Sequence, residues 1–277
     1  MDNRLTLFPG GHDGSTEPSI RVPLKRKNEE HESKQPHPAL RSPNHLPVTL
    51  KRGVPWGKYQ RFVEEDQAGR AIAARDKDTI VAVKEHKVTD KDSLKALKPT
   101  KHIQLVNLLD VYMDHDIVFL IYEDMDASHV SLGDIEGGMS GSLKENEIAA
   151  IAEQVVRGLE YIHETLQISH GNIDHENLLV SGTGHVKIAN IANGMFQSDS
   201  GRQQQDLRSF GLVLRELMEL GSGWTEDTRN FQDGLDHLRA TSLVTHDFIR
   251  KSTGPASLIP HVRITVKTKF KTLRVLM

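Results

Sequence analysis

Apolar residues are sparse and without period over the first 55 positions, fall into short alternating runs after about residue 58, and recur at helical steps from residue 142. Gly69-Arg70-Ala71-Ile72-Ala73-Ala74 and Thr79-Ile80-Val81-Ala82-Val83 read as two strands joined by the polar turn Arg75 to Asp78, a hairpin pattern. A short helix over Thr89 to Leu97 is predicted next, ended by Pro99. Leu105 to Tyr112 and Ile117 to Tyr122 form a second strand pair that turns at Asp114-His115-Asp116. Ser142 to Gln167 carries the strongest helical signal, because Ile148, Ile151, Val155, Leu159 and Ile162 recur three and four residues apart. Near the C-terminus, Val262 to Val275 alternates basic or polar with apolar residues in the manner of a strand.

Composition changes this picture chiefly at the ends. Eight of the eleven prolines lie in residues 1–55, which are predicted to be disordered; there Lys25-Arg26-Lys27, followed by Glu29 and Glu30, reads as solvated linker rather than an import signal. With 277 residues, 37% apolar and 26% charged, the chain can form one sizeable core or two lobes sharing an interface. No apolar run is long enough to cross a bilayer and Met1-Asp2-Asn3-Arg4-Leu5 opens no signal peptide, so an intracellular site, cytoplasmic or nuclear, is expected. The absence of cysteine excludes disulfides, thiolate zinc sites and thiol catalysis. A net charge of -3 gives no reason to expect nucleic acid. Seven Lys or Arg and no acid follow Asp247, but with little aromatic interleaving, so residues 253–277 are expected to be a disordered basic tail without a specific nucleic-acid partner.

Few sites of conventional chemistry can be drawn from the remainder. His163-Glu164-Thr165-Leu166-Gln167 fails the H-E-x-x-H zinc pattern at its last position, which leaves His163, His170 and His175 without a metal motif. Ser169 and Ser181 lie in no G-x-S-x-G elbow.

One loop is more specific. His170-Gly171-Asn172-Ile173-Asp174-His175-Glu176-Asn177 resembles the protein-kinase catalytic loop H-R-D-L-x-x-x-N. Val81-Ala82-Val83-Lys84 is similar to the kinase V-A-I-K strand, and Phe119 to Met125 to the last small-lobe strand and hinge. Leu178 to Val180 and His185 to Ala189, around Ser181-Gly182-Thr183-Gly184, resemble the hairpin that leads to D-F-G. Asp206-Leu207-Arg208-Ser209-Phe210-Gly211 resembles the D-x-W-S-x-G segment whose acid anchors the catalytic loop, and Leu243 to Ile249 a closing helix. Six such segments in order imply an α+β, two-lobed protein-kinase-like fold over 58–252: a small β-rich N-lobe at about 58–123 and a reduced helical C-lobe at about 129–252. They imply a nucleotide cleft at Lys84, Gly69, Glu123 and Met125, and metal positions at Asn177 and Asn190.

The residues then depart from that pattern wherever charge matters. Kinases position ATP, neutralise its phosphates and orient the acceptor hydroxyl. Asn172 stands at the base position, where a neutral amide takes up no proton. Asn190, thirteen residues beyond Asn177, replaces the D-F-G acid and offers no charge to a hard cation. Asp174 sits where a lysine would face the transferred phosphate, reversing the sign. Aligning Gly69 with the third loop glycine puts Glu64 and Asp66 at the other two; a carboxylate ~4 Å from a phosphate charge costs about 1 kcal/mol in water and about 4 at an effective dielectric of 20. No glutamate lies between Glu85 and Glu123, so Asp90 or Asp92 would have to pair with Lys84. Thirteen residues, Asn193 to Gln205, separate the D-F-G position from Asp206, and no Ala-Pro-Glu is present; a short polar connector is expected there.

The resemblance and its departures together imply a pseudokinase, a scaffold or allosteric module for a protein partner. No cofactor is expected; ATP and magnesium would enter with residual nucleotide binding. Two alternatives stay open: an unconventional active serine/threonine kinase using ATP, and a degenerate fragment without a stable fold.

Overall fold

The computed structural model describes residues 50–125, 128–136, 142–197, 199–220 and 224–276. Six strands, β1 (Lys51–Arg52), β2 (Gln60–Asp66), β3 (Arg70–Asp76), β4 (Thr79–Lys87), β5 (Leu108–Asp114) and β6 (Ile117–Glu123), form one sheet in the order β1-β5-β6-β4-β3-β2. All neighbours are antiparallel except β1 and β5. Two-residue loops join β3 to β4 and β5 to β6, each with a residue at positive φ, Lys77 and His115.

The period of two along β4 gives the sheet two different faces. Val81 and Val83, with Phe119 and Ile121 of β6, lie under Trp56 and Tyr59 from the segment before β2. Ala82, with Leu120 and Tyr122, faces the main core. The helix expected over Thr89 to Leu97 is reduced to one 3-10 turn, Asp92–Ala96, because Leu94 and Leu97 alone anchor it before Pro99.

The second half is helical around a small sheet. β7 (Val130–Ser131) leads into α1 (Leu132–Glu136) and α2 (Glu145–Glu160); β8 (Leu178–Val180) and β9 (Val186–Ile188) complete the sheet β7-β8-β9. The Glu147 carboxylate accepts from Lys144 N at the start of α2. Ile148, Ile151, Val155 and Leu159 are fully buried along it, and after a wider turn over Tyr161–Thr165 it stops before Gln167 at φ 57°. Then come α3 (Ile191–Gln197), α4 (Gln203–Leu220), α5 (Glu226–His237), α6 (Ala240–Leu243), α7 (Asp247–Arg250) and α8 (Ile259–Leu276). This is the two-lobed α+β architecture that the resemblance implies.

Both ends correct the expected boundaries. Residues 1–49 of the segment expected to be disordered lie outside the described residues, but Lys51–Arg52 forms β1 and Pro55 is buried. At the other end, 253–277 holds a helix, not a strand-like tail. Pro255 opens a 3-10 turn, Pro260 sits in the first turn of α8, and Leu258, Val262 and Thr265 are buried at steps of four and three. Alternation over so few apolar residues fits either period, and the start signals favour the helix.

Candidate functional site

Residues 169–177 cross from α2 to β8 largely without regular structure, so their buried N–H groups need partners from elsewhere. Asp206, 1% exposed in the first turn of α4, supplies them: Oδ2 accepts from His170 N at 2.7 Å and Oδ1 from Gly171 N at 2.8 Å, while His163 Nε2 lies 2.9 Å from Oδ2. The His170 ring donates from Nε2 to Ala189 O at 2.7 Å and accepts at Nδ1 from Asn172 N at 3.3 Å. That is the pattern of a neutral imidazole, and burial holds its pKa below the ordinary value. The loop is thus anchored, yet Asn172 at its tip is exposed. It borders a recess of about 440 Å³ lined by His86, Asn193, Phe196 and Gln197 among others, with no carboxylate in the lining.

Deeper in the cleft, the positions expected to hold metal and phosphate bind one another. Asp174 Oδ1 accepts from both Asn177 N (2.8 Å) and Asn177 Nδ2 (2.9 Å), which turns the reversed charge back onto its own loop. Asn177 Oδ1 accepts from Asn190 Nδ2 at 2.7 Å, and the same Nδ2 donates to Ala68 O at 2.9 Å. Asn190 Oδ1 accepts from Lys84 Nζ at 2.8 Å. Asn190 has φ 63°, a left-handed conformation that asparagine tolerates. Lys84 Nζ also donates to Gln67 O (2.5 Å) and Ala68 O (2.8 Å), which uses all three ammonium protons. Burial lowers its pKa to about 8, against the pull of Asp66 and Glu65. The oxygens that a divalent cation would need are already directed at N–H donors, one of them cationic; this donor set does not fit a magnesium-bound nucleotide.

The pairing expected between Lys84 and Asp90 or Asp92 is not made. Asp92 pairs with Lys95, and Asp90 Oδ1 accepts from Asp92 N. The missing helix explains this, since no element brings a carboxylate back over β4. Its place is taken by α3, which the connector expected over Asn193 to Gln205 did not include: Phe196 stacks on His86 at 4.8 Å and Met195 Sδ accepts from Lys98 N at 3.4 Å. Ile191 and Ala192, after Asn190, are fully buried.

Gly69, Glu123 and Met125 are brought together by a residue that the sequence did not single out. The turn between β2 and β3 bends at Ala68 (φ 52°) and Gly69 (φ 94°), and Asp66 Oδ1 accepts from Gly69 N at 2.8 Å. This leaves Gln67 only 1% exposed. Its Nε2 donates to Glu123 O at 3.1 Å and its Oε1 accepts from Met125 N at 2.8 Å. No local pattern marks Gln67, because its partners lie 56 and 58 residues away. The Glu123 carboxylate is held by Lys187 and by Asn107 Nδ2. Of the two acids expected to oppose phosphates, Glu64 pairs with Arg70 at 2.7 Å and Asp66 caps its own turn. At the cleft mouth, Asp66, His129, Asp134 and Lys269 of α8 border a pocket of about 60 Å³, far below the roughly 300–1,000 Å³ of small-molecule sites. Lys269 pairs with Asp134 across it.

Comparison with known proteins bears on the same region. A family model described as the protein kinase domain matches residues 67–191. Cyclin-dependent kinase-like 2 of Homo sapiens is 33% identical over 147 residues, covering 48% of this chain and 29% of that protein. The 3-phosphoinositide-dependent protein kinase 1 of Arabidopsis thaliana is 29% identical over 124 residues (41% and 25%), and its serine/threonine-protein kinase 1 is 26% identical over 194 residues (66% and 23%). The chain spans less than a third of the length of these relatives. The matched stretch runs from the β2–β3 turn through the Asp206-anchored loop to the end of the hairpin, on a backbone of the same two-lobed design, and by it the chain belongs to the protein-kinase-like superfamily.

Proposed function

We propose that this domain is a catalytically impaired kinase-like module that acts by binding a protein partner, as a scaffold or allosteric element, and not by transferring phosphate. The observation that carries the reading is the closed set of bonds from Lys84 to Asn190 to Asn177, in which the groups that would grip phosphate and metal are spent on each other. Asn172 adds a second deficit, since a positioned general base is typically worth ~10²- to 10⁴-fold and an amide supplies none of it. The Asp206 anchor supports the other half of the reading: the loop's shape is kept while its chemistry is given up.

The test is transfer of labelled phosphate from ATP with magnesium to the protein itself and to generic protein acceptors. No transfer above that of a Lys84→Met variant is expected. A clear magnesium-dependent signal lost in Lys84→Met would sink the proposal.

A further inference from the structure

Gln67 is the least expected occupant of the cleft. A carboxamide buried to this degree needs partners for both its ends, and it finds one acceptor and one donor on the backbone of a segment far away in sequence. Its orientation is fixed by those partners, because Glu123 O only accepts and Met125 N only donates. The pair Glu123 O and Met125 N therefore reads a planar edge that carries an N–H beside an acceptor atom. A primary amide has that edge, and so do lactams and aminopurines.

Resting on the site reading above, we propose that Gln67 is a built-in ligand of a heterocycle seat at Glu123 and Met125, and that the seat takes uncharged ligands with the same edge, adenosine among them, when the β2–β3 turn withdraws. The turn and the seat form one latch. Gln67 O and Ala68 O accept from Lys84 Nζ, and Ala68 O accepts from Asn190 Nδ2, so the same four residues that close the seat also occupy the phosphate side. A triphosphate adds nothing to binding there: Asn177 and Asn190 bring no charge for a metal, and Glu64, Glu65 and Asp66 line the approach with carboxylates. Two buried hydrogen bonds of ordinary strength hold such a seat shut by roughly 10- to 100-fold.

The 277-residue protein and its Gln67→Ala variant are to be titrated with adenosine, and with ATP plus magnesium, by calorimetry and thermal shift. Gln67→Ala should bind adenosine at least ten-fold more tightly than the unaltered protein, and ATP with magnesium no more tightly than adenosine. Equal adenosine binding, or none by either protein, overturns the latch while leaving the non-catalytic reading intact. Tight binding of ATP with magnesium by the unaltered protein overturns that reading instead. Should Gln67→Ala not fold, exchange of the Gln67 side-chain amide protons in the unaltered protein decides: protection supports the latch, and exchange as fast as in a surface glutamine refutes it.

Discussion

Asn190 donates two hydrogen bonds and accepts a third from a cation, so the cost of truncating it is set by the partners left behind. Alanine there strands a Lys84 proton and the oxygens of Asn177 and Ala68, and unmade buried bonds cost about 1–3 kcal/mol. Asn190→Ala should lower the unfolding free energy by that amount in urea melts, whereas Asn172→Ala, at an exposed position, should stay within about 0.5 kcal/mol. Equal losses would mean that the base position is as structural as the metal position. Lys84 adds a pH signature. Its pKa is about 8 in the folded protein against 10.5 ordinarily, so between these values the unfolded chain binds more protons and stability rises with pH; below about 8 both states carry the charge and the full penalty stands. Relative to Lys84→Met, the unaltered protein should gain about 2 kcal/mol between pH 7.5 and 9.5, read from unfolding at both pH values. A constant difference would refute the burial of this charge. Asn172, Asp174 and Asn190 are legible in the sequence because they stand at fixed offsets from His170. Gln67 is not, because its role exists only once the hinge is folded against the turn.

Among elements, those with a sustained period are legible and those decided by packing are not. α2 and the strand pairs announce themselves through steps of 3.6 and of two. α3 has no such signal: its seven residues carry a glycine at the centre, and it forms because it fills the groove left by the missing helix after β4. Gly194 allows that seating. A Cβ there would lie 2.3 Å from Ser169 O and 3.1 Å from His170 Cα, and neither is a side-chain end that can swing away. Alanine would improve helix propensity by about 1 kcal/mol, but overpacking against backbone costs typically 1–3 kcal/mol or more. Gly194→Ala should therefore lower stability by roughly 1–2 kcal/mol in thermal or urea unfolding. A stabilised variant would show that α3 does not rest on the catalytic loop.

At the scale of the whole molecule, one continuous apolar cluster runs from Ala71 and Ala82 under the large sheet, through Leu105, Ile151 and Phe210, to Leu258 and Val262 at the C-terminal helix. The small and large lobes thus share a core, and α8 belongs to it although its composition suggests a solvated tail. Leu258 and Val262 are 0% and 1% exposed, and fully burying such side chains contributes about 1.5–3 kcal/mol each. Ending the chain at Thr253 forfeits both, together with Lys269 on Asp134 and His261 beside Glu147. The loss of roughly 3–6 kcal/mol is comparable with the 5–15 kcal/mol that separates most folded domains from their unfolded chains. A truncated protein should melt at a clearly lower temperature or fail to fold. Limited proteolysis of the intact chain should leave a resistant body that begins near residue 50 and retains α8. A resistant body ending near residue 252 would return the C-terminal segment to the status of a tail, and complete digestion would favour a fragment without a stable fold over a module that has exchanged its catalytic groups for internal bonds.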